Sequence, residues 1–374
     1  MSTRVKKIDI LEVELPFKIP FRHALHERQS SGSVFVKIYL DSGVTGYGEA
    51  LPREYVTGET AASVREKLNT VLGQKLLGSE FSSLRDAENF IETLEELQGA
   101  ARCALELALL DSVGKNFKVS VSALIGEKGA ENIFYSGVIS AGSVPSAAMA
   151  ALKMKLFGFR QVKVKVGFEN DFERLDIIRK ILGEKTDIRI DANCAWSADE
   201  AIKNIGELRL FDISAVEQPV KADDIEGLKK VTGSVPEAII ADESLRTIED
   251  AKRLSSEKAC NMFNIRISKC GGLLNAFKIA GIAKNSQLRY QLGCQVGESG
   301  VLSAAGRHFA RGFEDIEYFE GSYGKFLLKE DVTKENMTFA WGGKAGTIDG
   351  PGLGIHVLDN VLEKYTVNKA TLGR

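Results

Sequence analysis

From residue 132 to residue 319 the chain repeats one pattern, a short apolar run followed by a stretch of helical periodicity. The runs fall at 134–139, 161–166, 188–191, 213–217, 238–242, 262–267, 290–294 and 316–319, and each gap is long enough for a helix. Parallel strands need a crossover of a dozen or more residues, and helices supply it. Strict alternation at this count predicts an α/β fold, a (β/α)8-type barrel (a modified TIM barrel), rather than an open doubly wound sheet.

The residues before the barrel follow a different grammar. Residues 8–15 and 33–40 alternate like antiparallel strands, and the Asp41-Ser-Gly43 turn leads into a third in Val44-Thr-Gly-Tyr-Gly-Glu49. Helical periodicity then runs from about 60 to 113, which reads as an α+β unit. After the barrel, 333–374 returns to turn-rich, strand-like sequence. The expected division is an α+β unit at 1–128, a barrel at 129–332, and a tail at 333–374 that packs back on the N-terminal unit. Two segments of this unit, 17–28 and 51–58, are expected to be loops.

Bulk properties narrow the function by exclusion. The 49 basic residues nearly balance the 51 acidic ones, so no global field recruits nucleic acid or an anionic membrane. The five cysteines are scattered without CxxC spacing, which argues against a disulfide framework or a zinc site and for a reducing compartment. There is no apolar run long enough to span a membrane and no signal-peptide core, so the expected location is cytoplasmic.

The chemistry is carried by charges at strand ends. In the run 161–166, Val162, Val164 and Val166 share one face and Lys163 and Lys165 the other. A parallel strand covered on both faces is normally apolar throughout, so the two lysines need buried partners. Asp191, Glu217 and Asp242 end the next three runs about 25 residues apart, and alternation turns them toward the barrel axis while Ile190, Val216 and Ala241 face the helices. An aspartate after a strand is also a common helix N-cap, but three acids in matching places opposite a lysine pair form a set. Carboxylates converging in a low-dielectric site repel one another, and a hard dication relieves this. All-oxygen ligation suits Mg²⁺, with Mn²⁺ as the alternative. Lys165, nearer the strand end, is the expected general base, and Lys163 below it would tune its pKa and touch a substrate carboxylate. Proton removal α to a carboxylate, with the resulting enediolate stabilised electrostatically, is the reaction this set suits.

Five motifs together resemble the enolase superfamily, in its muconate-lactonizing subgroup, over essentially the full length. They are Lys163-Val-Lys165, Asp191-Ala-Asn193, Val216-Glu-Gln-Pro219, Ala241-Asp-Glu-Ser244 and Cys270-Gly-Gly272. A lysine base working with Mg²⁺ on an ene-diolate is the superfamily's own chemistry. The resemblance implies a cap closing over the barrel, with the 17–28 and 51–58 loops choosing a small carboxylate substrate, and a homo-oligomer.

The chain departs from the subgroup at strand six. A second lysine is usual there, about 24 residues after the third metal acid, and that count lands on Arg266. Lys269 is the substitute, although Asn264, Arg266 and Ser268 share the face opposite Phe263, Ile265 and Ile267. An arginine stays protonated, so it would clamp an anion rather than exchange a proton. The Asp-x-Asp motif that holds the substrate ammonium in the subgroup's dipeptide epimerases is absent. Tyr318-Phe-Glu-Gly-Ser-Tyr323 offers Glu320 alone.

Histidine-dependent branches of the superfamily are disfavoured too, since of His23, His26, His308 and His356 only His308 lies near a barrel strand. Asn193, Glu298, Glu320, His23 and Arg28 are the candidate substrate contacts. The leading expectation is an isomerase using Lys165 as its one base. A syn-eliminating lyase resembling o-succinylbenzoate synthase comes next, then an epimerase using Lys165 and Lys269, then a non-catalytic metal-binding relative.

Overall fold

The computed structural model describes residues 2–23, 26–126, 129 and 132–373, with all their side chains except those of residues 20–23, 26 and 27. The barrel sheet holds seven parallel strands in sequence order: Gly137–Ile139, Gln161–Lys165, Asp187–Asp191, Ile213–Glu217, Ala238–Ala241, Met262–Arg266 and Arg289–Gly293. A helix follows every strand. The starts of several are set by side-chain caps: Ser197 with Glu200 and Thr247 with Asp250 form reciprocal boxes, and Asp224 accepts from the Gly227 amide. Val162, Val164, Ile190 and Val216 are fully buried beneath this helical layer.

The eighth expected strand, at 316–319, does not form as a strand. Its residues instead bridge both edges of the seven-stranded sheet. Leu292 N donates to Tyr318 O at 3.0 Å and Glu320 N to Leu292 O at 2.8 Å, while Ser136 N donates to Phe319 O at 2.8 Å. Phe319 thus pairs with Leu292 on one side and Tyr135 on the other, in isolated bridges. The ring closes, but the segment shares its few backbone groups between two neighbours and builds no ladder. The first expected run, 134–139, also divides: only Gly137–Ile139 joins the barrel, and Asn132–Phe134 pairs with Lys344–Gly346.

The cap is an antiparallel sheet in the order Thr366–Gly373, Thr3–Val13, Ser33–Leu40, Thr45–Ala50, so the last strand lies beside the first. The helix Gly99–Phe117 is apolar around most of its circumference and buried from Ala100 to Gly114, because the sheet covers one side of it and the helices Ala61–Val71, Leu84–Glu92 and Leu273–Asn285 pack on the others. The approach is close enough to require glycine. A Cβ on Gly48 would stand 2.1 Å from Ala104 O, and one on Gly46 2.2 Å from Ser112 N.

The described residues of 17–28, expected as a loop, lie in two antiparallel strands, Pro16–His23 and His26–Ser30. The 51–58 segment carries a single helical turn, Glu54–Thr57. Cap and barrel meet through buried polar groups. Glu49 accepts from Ser299 N at 3.2 Å, Ser299 Oγ at 2.6 Å and Leu302 N at 3.2 Å. Arg53 donates to Ser31 O at 2.8 Å and Val296 O at 2.6 Å. These contacts seat the cap over the C-terminal end of the strands, where a barrel of this kind keeps its site. No helix among the described residues is long and apolar enough to cross a membrane, and all five cysteines are free.

Candidate active site

Strand register sets the charges in two tiers. Asp191 pairs with Lys165 and with Glu217 on its two sides, so these three stand level at the strand ends. Arg189 pairs with Lys163 one step below. Lys165 Nζ lies 2.5 Å from Asp191 Oδ2 and 2.8 Å from Asn193 Oδ1. Lys163 Nζ lies 2.7 Å from Glu320 Oε2, 3.1 Å from Glu217 Oε1 and 3.3 Å from Asp191 Oδ2. Arg189 completes the lower tier, with Nη2 2.6 Å from Glu320 Oε1 and its guanidinium 4.3 Å from the Tyr318 ring centre.

The carboxylates are therefore not left to repel one another. Burial pushes Asp191 up, but Lys165 and Lys163 outweigh it and hold the group below the usual aspartate range. Burial likewise opposes ionisation of Glu320, and Lys163 and Arg189 bring it down to about 2. Burial pulls Lys163 down, yet Glu217, Glu320 and Asp191 together leave it above its ordinary value. Lys163 is thus a fixed cation, with its donors committed to three acids. Glu217 shifts upward through burial and the nearby Asp191 charge. Asn264 Nδ2 and Gln291 Nε2 donate to its two oxygens, each at 3.0 Å.

Arg266 reaches the same cluster from strand six. Its Nη2 hydrogen-bonds Asp242 Oδ2 and stands 3.6 Å from Glu217 Oε1, while Nη1 donates to Gln295 Oε1 at 3.2 Å. Burial lowers its pKa and Glu217, Asp191 and Glu320 raise it further, so the guanidinium carries its charge throughout. Gly293, its register partner, makes room: a Cβ there would lie 2.0 Å from Asn264 Oδ1 and 3.0 Å from Arg266 Cγ. Lys269 takes another direction. Its Nζ is 2.6 Å from Asp242 O, 2.7 Å from Asp242 Oδ1 and 3.1 Å from Asn264 O, and the side chain is wholly buried. Burial pulls it down to about 8.

Above these groups opens a cavity of about 600 Å³, lined at its floor by Lys163, Lys165, Asn193, Glu243, Arg266 and Glu320. Lys269 is not among the lining residues. Phe168, Tyr323, Phe326 and Leu327 make its walls apolar, and Tyr55 reaches it from the cap. Glu298 lines it too, accepting from Gln295 N at 2.7 Å, and burial raises it to about 8. Arg28 stands off the cavity, 5.8 Å over the Tyr55 ring. The His23 side chain lies outside the described residues. His308 is buried in the helix after strand seven, between Ser122 Oγ at 2.8 Å and Leu353 O at 3.1 Å, which makes it a packing residue.

Several polar groups of the site were not singled out by sequence. Glu243 accepts from Asn193 Nδ2 at 3.1 Å, and its Oε2 is buried with no partner. Gln218, at φ 37°, accepts from the amides of Asp242 and Ser244 at 2.9 and 3.1 Å and so fixes the turn that carries the acids. Asn264 and Gln291 were detectable as polar residues on the inward side of apolar strands. Glu243 was not, since the strand stops at Ala241 and alternation ceases to apply.

Asp191, Glu217 and Asp242 offer the all-oxygen donor set that a hard dication prefers, and the unpartnered Glu243 oxygen adds acceptor capacity beside them. Their chemistry fits Mg²⁺. In the folded chain the intervals between them are filled by the nitrogens of Lys163 and Arg266, and no three acids, histidines or cysteines among the described residues stand grouped for an ion.

Comparison with known proteins agrees with this architecture. Residues 6–126 match the mandelate racemase / muconate lactonizing enzyme N-terminal domain, and residues 146–361 match the enolase C-terminal domain-like family. An L-Ala-D/L-Glu epimerase of Clostridium acetobutylicum is 32% identical over 95% of this chain and 99% of its own. The crystal structure of the N-succinyl Arg/Lys racemase from Bacillus cereus superposes with a TM-score of 0.91 at 27% identity, covering 99% of this chain and all of that one. A dipeptide epimerase from Enterococcus faecalis, solved with Mg and the dipeptide L-Leu-L-Tyr, gives 0.85 at 29% identity over 94% and 99%. These relatives are isomerases. With both halves of the family matched around a barrel and its cap, the chain belongs to the mandelate racemase / muconate lactonizing enzyme family of the enolase superfamily, as an enzyme of the isomerase type.

Proposed function

We propose that the protein is a Mg²⁺-dependent isomerase of the muconate-lactonizing type, in which Lys165 moves a proton at the carbon α to a substrate carboxylate. One observation carries this reading. Of the three lysines in the cluster, Lys165 alone combines a place on the cavity floor with side-chain exposure above a few per cent, at 16% against 4% for Lys163 and none for Lys269. Its partners, Asp191 and Asn193, orient the amine toward the cavity. Bound Mg²⁺, held by Asp191, Glu217 and Asp242, would supply charge stabilisation for the carboxylate as it takes on enediolate character. Lys163 and Arg266 hold further positive charge beside the same oxygens.

Arg266 cannot deprotonate, so a symmetric two-base exchange lacks its second partner. One-base reactions remain, either cycloisomerisation or, as the second reading, a syn-elimination in which Lys165 both abstracts and returns the proton. Glu320 is consumed by Lys163 and Arg189, which leaves it unable to hold a substrate ammonium. The substrate is accordingly a small carboxylate with an apolar remainder, enclosed by the 129–332 barrel and by a cap of 1–128 and 333–374, whose Tyr55 touches it.

The test is turnover of a carboxylate library in deuterated water. Lys165→Ala should lose activity by about 10²–10⁴-fold, the scale of a positioned acid–base group. Exchange with inversion at the α carbon in the wild type would defeat the one-base reading. Full activity in Lys165→Ala would defeat the assignment of the base.

A further inference from the structure

We propose that the ring of Phe326 selects the distal group of the substrate, and that this group is an aryl ring carried by the reacting carboxylic acid. This rests on the reading of Lys165 as the base, which sets where the acid group sits.

Large apolar side chains are exposed at several places on the surface, and most of them lie off the cavity. Among the described residues of that kind, Phe326, at 50% exposure, and Tyr55 are the two that line it. A half-exposed ring on a concave wall is apolar surface that a ligand can remove from water. The floor of the cavity carries Lys163, Lys165 and Arg266, whereas Tyr323 and Leu327, which line the wall beside Phe326, bring no charge. An acid held at the floor therefore turns its uncharged end toward Phe326.

Phe326 is the exposed end of a set of packed rings. Phe157 meets it edge to face with centroids 5.7 Å apart, and Phe339 lies tilted against it at 5.2 Å. Phe339 is itself buried and packs edge to face on Tyr323 at 5.2 Å. Phe157 ends the helix Val144–Phe157, Phe326 sits in the single turn Gly324–Leu327, and Phe339 belongs to the tail. The backbone around the ring is tied as well. Lys325 N donates to Thr338 Oγ1 at 2.8 Å and Lys329 N to Pro16 O at 2.9 Å, while Lys18 Nζ hydrogen-bonds Lys325 O. A side chain fixed in this way loses little freedom when a ligand covers it. The partner that extends such an array is another ring, because edge-to-face and offset contacts at about 4.5–7 Å are favourable beyond the area they bury. A saturated group of the same size covers the same surface without that contact. Tyr55 brings a second ring to the cavity from the cap, with the Arg28 guanidinium over its face.

The measurement is calorimetric affinity, in excess Mg²⁺, for two matched series of straight-chain acids, one ending in phenyl and one in cyclohexyl. At the chain length that binds tightest, the wild type should hold the phenyl acid about fivefold more tightly than its cyclohexyl counterpart, the scale of one aromatic pair. Phe326→Leu should bring that ratio to about one, and Phe326→Tyr, which keeps the ring, should preserve it. Should Phe326→Leu fail to fold, Phe326→Met takes its place with the same expected ratio. Equal affinity for the two series in the wild type overturns the proposal, as does a phenyl preference that survives the loss of the ring at 326. Either result leaves the reading of Lys165 intact, since that reading is decided by turnover. Binding of no acid at all to the wild type overturns the aryl site and the carboxylate substrate together.

Discussion

Glu320 stands between two buried cations, Lys163 and Arg189, and they depend on it unequally. Lys163 has Glu217 and Asp191 besides, whereas the other partners of Arg189 are the Ser136 hydroxyl at 3.1 Å and the face of Tyr318. Glu320→Gln should therefore cost about 3–5 kcal/mol, the usual scale for leaving a buried charge unpaired, and the cost should fall on Arg189. Chemical denaturation of the single variants and of Glu320→Gln with Arg189→Met checks this. The double variant should recover part of the loss, and strict additivity would show that the pair is not coupled. Arg266 was legible to the same degree as these groups. Side-chain parity sends it inward beside Asn264, and both reach Glu217. Lys269 was harder to place. After strand six the backbone turns, with Cys270 N on Arg266 O, and this brings the amine back onto Asp242 although parity alone had turned it to the opposite face.

Among the elements, the strands that carry paired charges were the most readable, because a lysine or acid inside an apolar run has few ways to be buried. The segment at 316–320 was least so. Its apolar residues satisfy two neighbours at once through single bridges, and no periodicity separates that arrangement from a short strand. The pairing of Pro16–His23 with His26–Ser30 was obscured in turn by a composition rich in Phe, Arg and His without clean alternation. Between strands six and seven the packing makes a sharp prediction. Gly293→Ala would drive a methyl into the Asn264 amide, which Glu217 holds, and should destabilise by about 1–3 kcal/mol as overpacking does. Gly281→Ala, in the helix Leu273–Asn285, meets nothing within 4 Å and should stabilise by about 0.4–1 kcal/mol. Denaturation midpoints of the two variants should move in opposite directions. Movement in the same direction would refute the close approach at 293.

Across the whole molecule, buried acids set the response to pH. Burial raises Glu49 to about 7 and Glu298 to about 8, and it brings Glu106 to about 7 as well. The folded form keeps these protons to higher pH than the unfolded chain does. Their contribution is full below the unfolded glutamate value of 4.5 and is lost as pH rises through about 7 to 8. Burial lowers His308 to about 4, so its contribution runs the other way and is complete above its unfolded value of 6.5. From about pH 6.5 to 8 the acids act without that offset, and the melting temperature should fall across this interval in calorimetry. Glu49→Gln should flatten part of the slope, and an unchanged slope would clear Glu49 of the effect.

The cap has a consequence in time as well as in space. Its edge strand, Thr366–Gly373, is made after the entire barrel, while the Thr3–Val13 strand that it pairs with is made before the barrel. The Thr3–Val13 strand must wait, one edge unpaired, until the whole barrel has been made. Such long-range pairing is slow and exposes an edge to wrong partners. The roof of the site is therefore finished after its floor, and a nascent chain not yet extended through Thr366–Gly373 would already hold the charged floor without the completed lid above it.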